Sequence, residues 1–577
     1  MHLSSLEISN FRCISHVVVG FHEGVNTLIG ENNTGKTAVL DAIRLGLGLV
    51  FERRDLYVQA EDFHINPDGT AADTIEFHLR FAQPTSKERG VFIEMLAEPV
   101  VGNPELQLHV RFTDEADRIR RRYWGGEKEG QEIPQDVLDL FYVTYLGALR
   151  DAGRDLSPSR GNRLSQLFLK LVEAEAKREE LSDTINTQIR QAAGWQELLN
   201  NGKERIQNHL TKVALRDQET EVAVDFVHSS FKRIVEGLRL SVTWKPGPDS
   251  VPADGPEPKP DGIRFDIAQN GLGYNNLIYM ATVLGDLLER RASDPDSYIA
   301  LLIEEPEAHL HPQWQNVLFR YLQEIKLKGI QVFITSHSPT ITAESKVDSL
   351  IVLTRTRDEI LSQPLRSVEL SPSQQDFLER FLDVTKCQLF FAKSVILVEG
   401  ISEALLLPPF ADLLGDAYHL GRNATEIVNI DGVAFEPFAR LFNSPEAGKR
   451  INVRCALVTD DDRKNGTEVS SRAQNALQLA GGTLRVFLSR STFEYELYAA
   501  NEELVRAAYA EMHPQTDLAF GGGLDERAGS FVGKLSSNKD KGRFAQLLAS
   551  KIVKGGDYRR FRVPSYLEEA LNWVAKG

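Results

Sequence analysis

The octapeptide GENNTGKT, Gly30–Thr37, stands between an apolar run, GVNTLI, and TAVLDAIRLGLGLVF, whose apolar residues recur at helical spacing. Strand, glycine-rich loop and helix is the context in which G-x-x-x-x-G-K-[ST] binds phosphate. Consecutive backbone N–H groups, those of Asn32 and Asn33 among them, and a helix N-terminus converge there on anionic oxygens. Gly30 and Gly35 allow the tight turn, Lys36 reaches the β- and γ-phosphates, and the Thr37 hydroxyl helps hold Mg²⁺. The loop therefore demands an α/β core around a nucleotide, and ATP is the expected ligand.

A chain of 577 residues exceeds a single core and divides into about two to four domains. The alternation of HLSSLEISNF marks a first strand, with further strands at TIEFHLRF (74–81) and QLHVRF (107–112). Charged helical sequence from about 164 to 240 has no sustained a/d heptad, so a helical hairpin or small bundle is expected, not a long coiled coil. KPGPDSVPADGPEPKPDG (245–262) reads as an exposed loop. SPSQQDFLERFLDVTKCQLFF, near 370–390, reads as a linking helix.

Partners are constrained by charge. At a net −16 the average field repels nucleic acid, so DNA must meet local basic patches. Lys534 to Arg562 holds nine Lys and Arg against Asp540 and Asp557, whereas RIRRR (118–122) reads as a solvated helix face. No apolar run of about 18 residues occurs, which argues against a membrane span. Three scattered cysteines form neither a zinc spacing nor a disulfide framework, which suits a cytoplasmic location.

SYIALLIEEPEAHLHP ends an apolar strand in two carboxylates. Glu304 is placed to support Mg²⁺ and its water, and Glu305 to orient or deprotonate the attacking water. His337 follows the next apolar strand, within expected reach of the γ-phosphate. The order LEISNFR, GENNTGKT, LLIEEPEAHLHP, TSHSP resembles the ABC-type ATPase heads of the RecF and SMC group. That resemblance implies two heads closing over ATP, hence a homodimer or higher homo-oligomer. The segment QNGLGYNNLIYMA (269–281) stands where the group's signature belongs but departs from L-S-G-G. Gly271 and Gly273 leave a turn before a helix, and Asn275 or Asn276 is placed to donate to the γ-phosphate.

SVILVEG then opens a second series of alternating strands and helices, predicting a smaller α/β domain. Glu399 ends its first strand and Glu403 follows four residues later, on one face of a helix that starts at once. ALVTDDD places Asp460 and Asp462 at another strand end, two apart and so on one side of an extended chain. Such oxygen ligands suit Mg²⁺ or Mn²⁺ and phosphate chemistry. The pattern resembles the TOPRIM fold of topoisomerases, primases and certain nucleases. STFEYEL adds Glu494 where a further metal ligand belongs, and KGRFAQLLA adds Lys541, suited to offsetting phosphate charge or protonating a leaving oxygen.

Head and TOPRIM pattern together resemble the overcoming-lysogenization-defect (OLD) family of ATP-dependent nucleases over nearly the whole chain. VNIDGVAF departs from that pattern, which has a Gly pair there. The resemblance implies an ABC-type ATPase domain in two parts (1–160 and 241–375), a dimerising helical insert (161–240) and a TOPRIM domain (376–577). It implies two metal ions on Glu399, Glu403, Asp460, Asp462 and Glu494, with Lys541 assisting, and a third ion with ATP. The activity implied is DNA cleavage in anti-phage defence, in some relatives with a helicase-like protein or a retron-type nucleic acid. A RecF-like DNA clamp without nuclease activity is the alternative; a topoisomerase or primase ranks below it, since no segment supplies an obvious topoisomerase tyrosine.

Overall fold

The computed structural model describes residues 1–48, 56–97, 104–115, 118–148, 156–172, 174–213, 221–244, 263–308, 310–325, 329–356, 359–432, 435–462, 469–516, 520–535 and 538–576. The expected loop 245–262 lies outside them. In chain order the strands are β1 His2–Phe11, β2 Ile14–Gly20, β3 Val25–Ile29, β4 Thr74–Ala82, β5 Leu96–Ala97, β6 Glu105–Glu115, β7 Arg118–Gly125, β8 Phe141–Leu146 and β9 Ser241–Trp244. There follow β10 Ile263–Asp266, β11 Tyr298–Glu304, β12 Ile330–Thr335, β13 Leu350–Arg355, β14 Ile360–Pro364, β15 Ser394–Val398, β16 Thr425–Asn429, β17 Arg454–Thr459 and β18 Leu484–Leu488.

The amino-terminal sheet is antiparallel, in the order β2-β1-β4-β6-β5, with β7 on β6. Register follows the alternation of the sequence. Leu6 faces Leu79 and Ile8 faces Phe77, and these in turn oppose Leu108 and Val110. One apolar face is thereby buried, and a one-residue slip would turn it to water. RIRRR is not a helix face: it lies in β7, with Arg122 opposite Arg111. Nearby acids moderate that repulsion, since Arg111 pairs with Glu76 at 2.7 Å and with Glu129 at 2.9 Å.

The second sheet runs β14-β13-β3-β12-β11-β8, with β3 parallel to both β12 and β13. Every residue of β3 and β12 is buried, as expected of parallel strands covered on both faces. A third, four-stranded sheet, β16-β15-β17-β18, is parallel throughout. Its strands alternate between two cores: Val395 and Leu397 enter one, Ile396 and Val398 the other. The first of these also contains Ile29, Leu350 and Val352 from the second sheet, so one apolar core holds both sheets.

The expected linking helix is broken. Pro372–Phe381 is helical, capped by Ser371, and a separate 3₁₀ segment covers Lys386–Phe391. Between them Asp383 accepts from the backbone N–H of Thr385 at 2.9 Å and of Lys386 at 2.8 Å. A local side-chain turn of this kind competes with helix continuation.

The chain divides into two compact units. One joins Met1–Tyr145, Ala300–Glu307 and Pro312–Gly577, and so holds these three sheets apart from Leu146 of β8 and Tyr298 and Ile299 of β11. The other comprises Leu146–Ile299 with Ala308–His311. It contains the helices Arg163–Leu171, Glu175–Gln191, Ala193–Val213, Phe231–Glu236 and Leu272–Ser293 and the β9–β10 hairpin. Glu175–Gln191 buries only Ser182 and Asn186, in keeping with its charged sequence. Among the described residues no helix is long and apolar enough to cross a membrane.

A shared core makes the second and third sheets unfold together. Leu397→Ala, at a fully buried position, should cost about 2–5 kcal/mol. In calorimetry it should lower the same transition that a bound ATP analogue raises. Separate transitions, with only the analogue-insensitive one shifted, would show two independent cores.

Candidate functional sites: a phosphate loop and a carboxylate cluster

At the end of β3 the chain turns through Gly30 with φ +141°, and a Cβ there would lie 2.2 Å from the Leu353 carbonyl oxygen. Asn33 and Gly35 are also left-handed, at φ +62° and +85°. The helix Lys36–Leu47 starts immediately. Lys36 is buried, and its ammonium donates back to the loop, to Gly30 O at 2.9 Å and Glu31 O at 2.6 Å. Burial lowers its pKa to about 8, against the opposing fields of Glu305, Glu307 and Glu31.

The Thr37 hydroxyl donates to Glu304 Oε1 at 2.5 Å, joining the loop to the end of β11. The other Glu304 oxygen accepts from the Tyr145 hydroxyl. Behind Tyr145 runs a chain of charges. The Arg44 guanidinium lies 3.6 Å from the tyrosine ring centre and binds Asp41 at 2.7 Å. Arg12, from the LEISNFR segment, joins Asp41 and Asp62, each at 2.7 Å. Glu304 is thus held from both sides by hydroxyls.

Glu305 occupies a left-handed position, φ +42°, and its N–H donates to Thr335 O at 2.9 Å. The carboxylate lies 3.7 Å from His337 Nε2, so β11 and β12 bring the water-directing acid and the histidine together. Glu307 accepts from the Ser336 hydroxyl at 2.8 Å and the His337 N–H at 2.7 Å, fixing the turn that carries the histidine. Sequence reasoning passed over Glu307 and Tyr145. The first stands in the EEPE run itself; the second carries no motif, only the end of FYVTYL.

The signature-like segment differs from expectation. Gly271 caps the helix Leu272–Ser293, so Gly273 lies within its first turn and not in the turn before it. Asn275 and Asn276 are both buried, and the Asn275 amide donates to Ile267 O at 2.7 Å. One N–H of that amide is thus spent within its own unit.

The second site forms at the carboxyl ends of β15 and β17, where parallel sheets place their ligands. Glu399 follows β15. It accepts from the Thr459 hydroxyl and, at 3.3 Å, from the Asp460 N–H. Gly400 then caps the helix Ile401–Leu414, whose first turn holds Glu403. Glu494, 5% exposed, lies in the first turn of Phe493–Ala500, and Lys541, from the helix Asn538–Lys554, reaches it at 3.1 Å. Asp460 accepts from the Ser489 hydroxyl at 2.9 Å.

Burial, with Glu494 and Glu399 as neighbours, pushes the Glu403 carboxyl up to about 7. Burial with Glu403, Glu399 and Glu494 raises Asp460 well above the usual range. Lys541 is lowered by burial but raised more by Glu494, Asp460 and Glu403. Glu399, Glu403, Asp460, Glu494 and Lys541 therefore share one electrostatic environment. Asp462 stands apart: its φ of +53° breaks the extended geometry that would align it with Asp460, and it pairs with Arg472 at 2.9 Å. Among the described residues no three acidic, His or Cys side chains already form a cage for an ion. The donor set nevertheless fits a hard divalent cation. All its donors are oxygens, and the raised proton affinity of Glu403 and Asp460 records an unmet need for positive charge.

Fold and sites together define a phosphate-loop ATPase whose core is continuous with a parallel α/β domain carrying acidic residues at its strand ends. A family profile described as "AAA ATPase domain" matches residues 1–120 and 135–342, and the chain belongs to that family. A second profile, "Overcoming lysogenization defect protein-like, TOPRIM domain", matches residues 390–462. The chain is 25% identical over 521 residues to the OLD nuclease of Thermus scotoductus, covering 86% of this chain and 91% of that protein. It is 26% identical over 373 residues to endonuclease GajA of Bacillus cereus strain HuB5-5, covering 53% of each. To the Old nuclease of Escherichia phage P2 it is 23% identical over 481 residues, covering 80% of this chain and 77% of the relative. The resemblance to OLD proteins read from the motifs is borne out.

Two outcomes test the ATP site. Tyr145→Phe removes a hydrogen bond to a charged group, worth about 1.5–3 kcal/mol. It should weaken magnesium–nucleotide binding by about tenfold or more while leaving nucleotide binding in EDTA little changed; fluorescent ATP titrations with and without Mg²⁺ decide. Separately, the Lys36 ammonium loses its proton as pH rises through about 8 in the nucleotide-free protein. Phosphate favours the charged form, so ATP affinity should be full below pH 8 and fall above it, with proton uptake on binding. Calorimetry in two buffers at pH 7 and pH 9 measures both; equal affinity at the two values contradicts it.

Proposed function

We propose that this protein is an ATP-dependent, divalent-metal-dependent DNA endonuclease of the OLD type, in which ATP governs a separate phosphodiester-cleaving centre. The observation that carries this reading is the convergence of Glu399, Glu403, Asp460, Glu494 and Lys541 at two parallel strand ends. A docking module or clamp has no use for four mutually repelling acids with an ammonium among them. The two named nuclease relatives that span most of the chain support it.

Glu399, Glu403, Asp460 and Glu494 would hold the cations, two in number, with Asp462 joining once its partner arginine is displaced. Cations bound there supply positive charge for an in-line displacement at phosphorus. The chain's own contribution is positional. Thr459 and Ser489 orient Glu399 and Asp460 through their hydroxyls. Lys541, with its charge secured by Glu494, stands ready to protonate a departing oxygen or to offset phosphate charge. At the other site Thr37 and Glu304 would hold one Mg²⁺ with ATP, and Glu305 with His337 would direct the attacking water.

DNA is the substrate, reached through the Lys and Arg of the carboxyl-terminal segment, and cleavage takes place in the cytoplasm in anti-phage defence. Residues 161–240 hold a homodimer or higher oligomer. A helicase-like protein or a retron-type nucleic acid is the partner that such a defence system would add.

Plasmid cleavage tests the proposal. With Mg²⁺ or Mn²⁺, and with and without ATP, the wild-type protein should nick or linearise supercoiled DNA. Asp460→Asn should abolish cleavage and retain ATP hydrolysis, Lys541→Ala should slow cleavage about 10²–10⁴-fold, the usual worth of a proton-transfer group, and Glu305→Gln should bind ATP without turnover. A wild-type protein that binds DNA but cuts under none of these conditions would establish the clamp reading; normal cutting by Asp460→Asn would falsify the two-metal assignment.

A further inference from the structure

Arg472 lies where the proposed cation site needs open oxygens. Its guanidinium donates from one nitrogen to Asp462 Oδ2 at 2.9 Å and from the other to Glu399 Oε2 at 2.8 Å. These acids belong to different elements, one at the end of β15 and one in the left-handed turn beyond β17. The arginine therefore spans the two strand ends that a cation would span.

Its placement is built in. Arg472 sits in the first turn of the helix Ser471–Gln478, capped by the Ser470 hydroxyl, which accepts from the Ala473 N–H at 3.1 Å. The Ser470 N–H donates to Asp461 Oδ1 at 2.8 Å, so the helix start is tied to the aspartate run itself. The Arg472 side chain is 44% exposed, whereas Lys541 is 30% exposed and tied to the nearly buried Glu494. Arg472 can thus swing into water at little desolvation cost. It cannot leave by losing its proton, because a guanidinium stays charged, and it offers no lone pair to a metal. A cation needing Glu399 and Asp462 must move it.

Resting on the nuclease reading above, we propose that Arg472 is a resident counter-ion that holds Glu399 and Asp462 in the metal-free site and competes with a divalent cation for them. Displacing it frees one oxygen on each acid and brings Asp462 into the ligand set from which its backbone otherwise separates it.

The test is Mn²⁺ binding to the full-length protein, followed by electron paramagnetic resonance of free Mn²⁺, with Arg472→Gln, Arg472→Lys and Asp460→Asn beside wild type. Arg472→Gln should tighten one Mn²⁺ by about tenfold, the lower end of what altering a ligand's hydrogen-bond partner does. Arg472→Lys, which keeps the charge but not the fork, should fall between. Thermal melting supplies a second readout. Without metal, Arg472→Gln should melt below wild type, because Glu399 and Asp462 lose their counter-charge, and saturating Mn²⁺ should restore it. A merely structural arginine would give a lower melting point that Mn²⁺ does not restore and an affinity unchanged or weakened, which overturns the proposal. If wild type binds Mn²⁺ and loses it in Asp460→Asn while Arg472→Gln binds as wild type, only this inference fails. If neither wild type nor Arg472→Gln binds Mn²⁺, the metal-site reading fails with it.

Discussion

One apolar core holds the nucleotide sheet and the carboxylate-bearing sheet. Ile29, the last residue before the phosphate loop, shares it with Leu350, Val352, Val395, Leu397 and Leu457. Close-packed interiors leave little slack, so neither sheet can shift without its neighbour yielding. The surface follows the core: Lys393, one residue before β15, lies 3.9 Å from Glu31 of the phosphate loop. The strand leading to Glu399 and the loop leading to Lys36 are therefore parts of one packed body. If ATP governs the second site as proposed, such a body is what the coupling needs, because a flexible linker would let one site change without the other.

Much of this was legible in the sequence because it rests on short-range pattern. Alternation gave β1, β4 and β6 their faces, and continuous apolar runs marked β3, β11, β12, β15 and β17 as strands. Both site motifs followed the strands that present them, since the chemistry sits where an apolar run stops. Glu399, Asp460 and Glu494 could be named in advance for that reason, Glu403 from its helical spacing to Glu399 and Lys541 from the KGRFAQLLA segment, although they come from four stretches of chain.

Long-range pairing and local backbone conformation were not legible. Nothing in FYVTYL says that Tyr145 meets Glu304, for that contact depends on β8 joining β11. Arg472 stands ten residues beyond Asp462 in unremarkable helical sequence, and only the fold returns it to the acids. The alignment of Asp462 with Asp460 differs from expectation because alternation holds for an extended chain, and the φ of Asp462 is positive. The buried amide of Asn275 belongs to a helix that begins two residues earlier than the glycines suggested. RIRRR looked helical in charge but pairs with β6, where nearby glutamates make an arginine-rich strand tolerable.

Both sites obey the rule that a buried or half-buried charge needs a partner before its ligand arrives. Lys36 meets it with two loop carbonyls, and Glu399 and Asp462 meet it with Arg472. Asp460, Glu403 and Glu494 meet it incompletely, through hydroxyls, Lys541 and protons. Ligand binding at either site is therefore an exchange of partners and not the filling of an empty charge. Exchange reduces the net affinity, because existing bonds must be given up. It also makes the resting site stable without its ligand, which a cluster of four acids otherwise is not. For the proposed nuclease the second consequence matters more: acids held by the chain's own cations would keep the site folded and their geometry fixed until a metal is taken up.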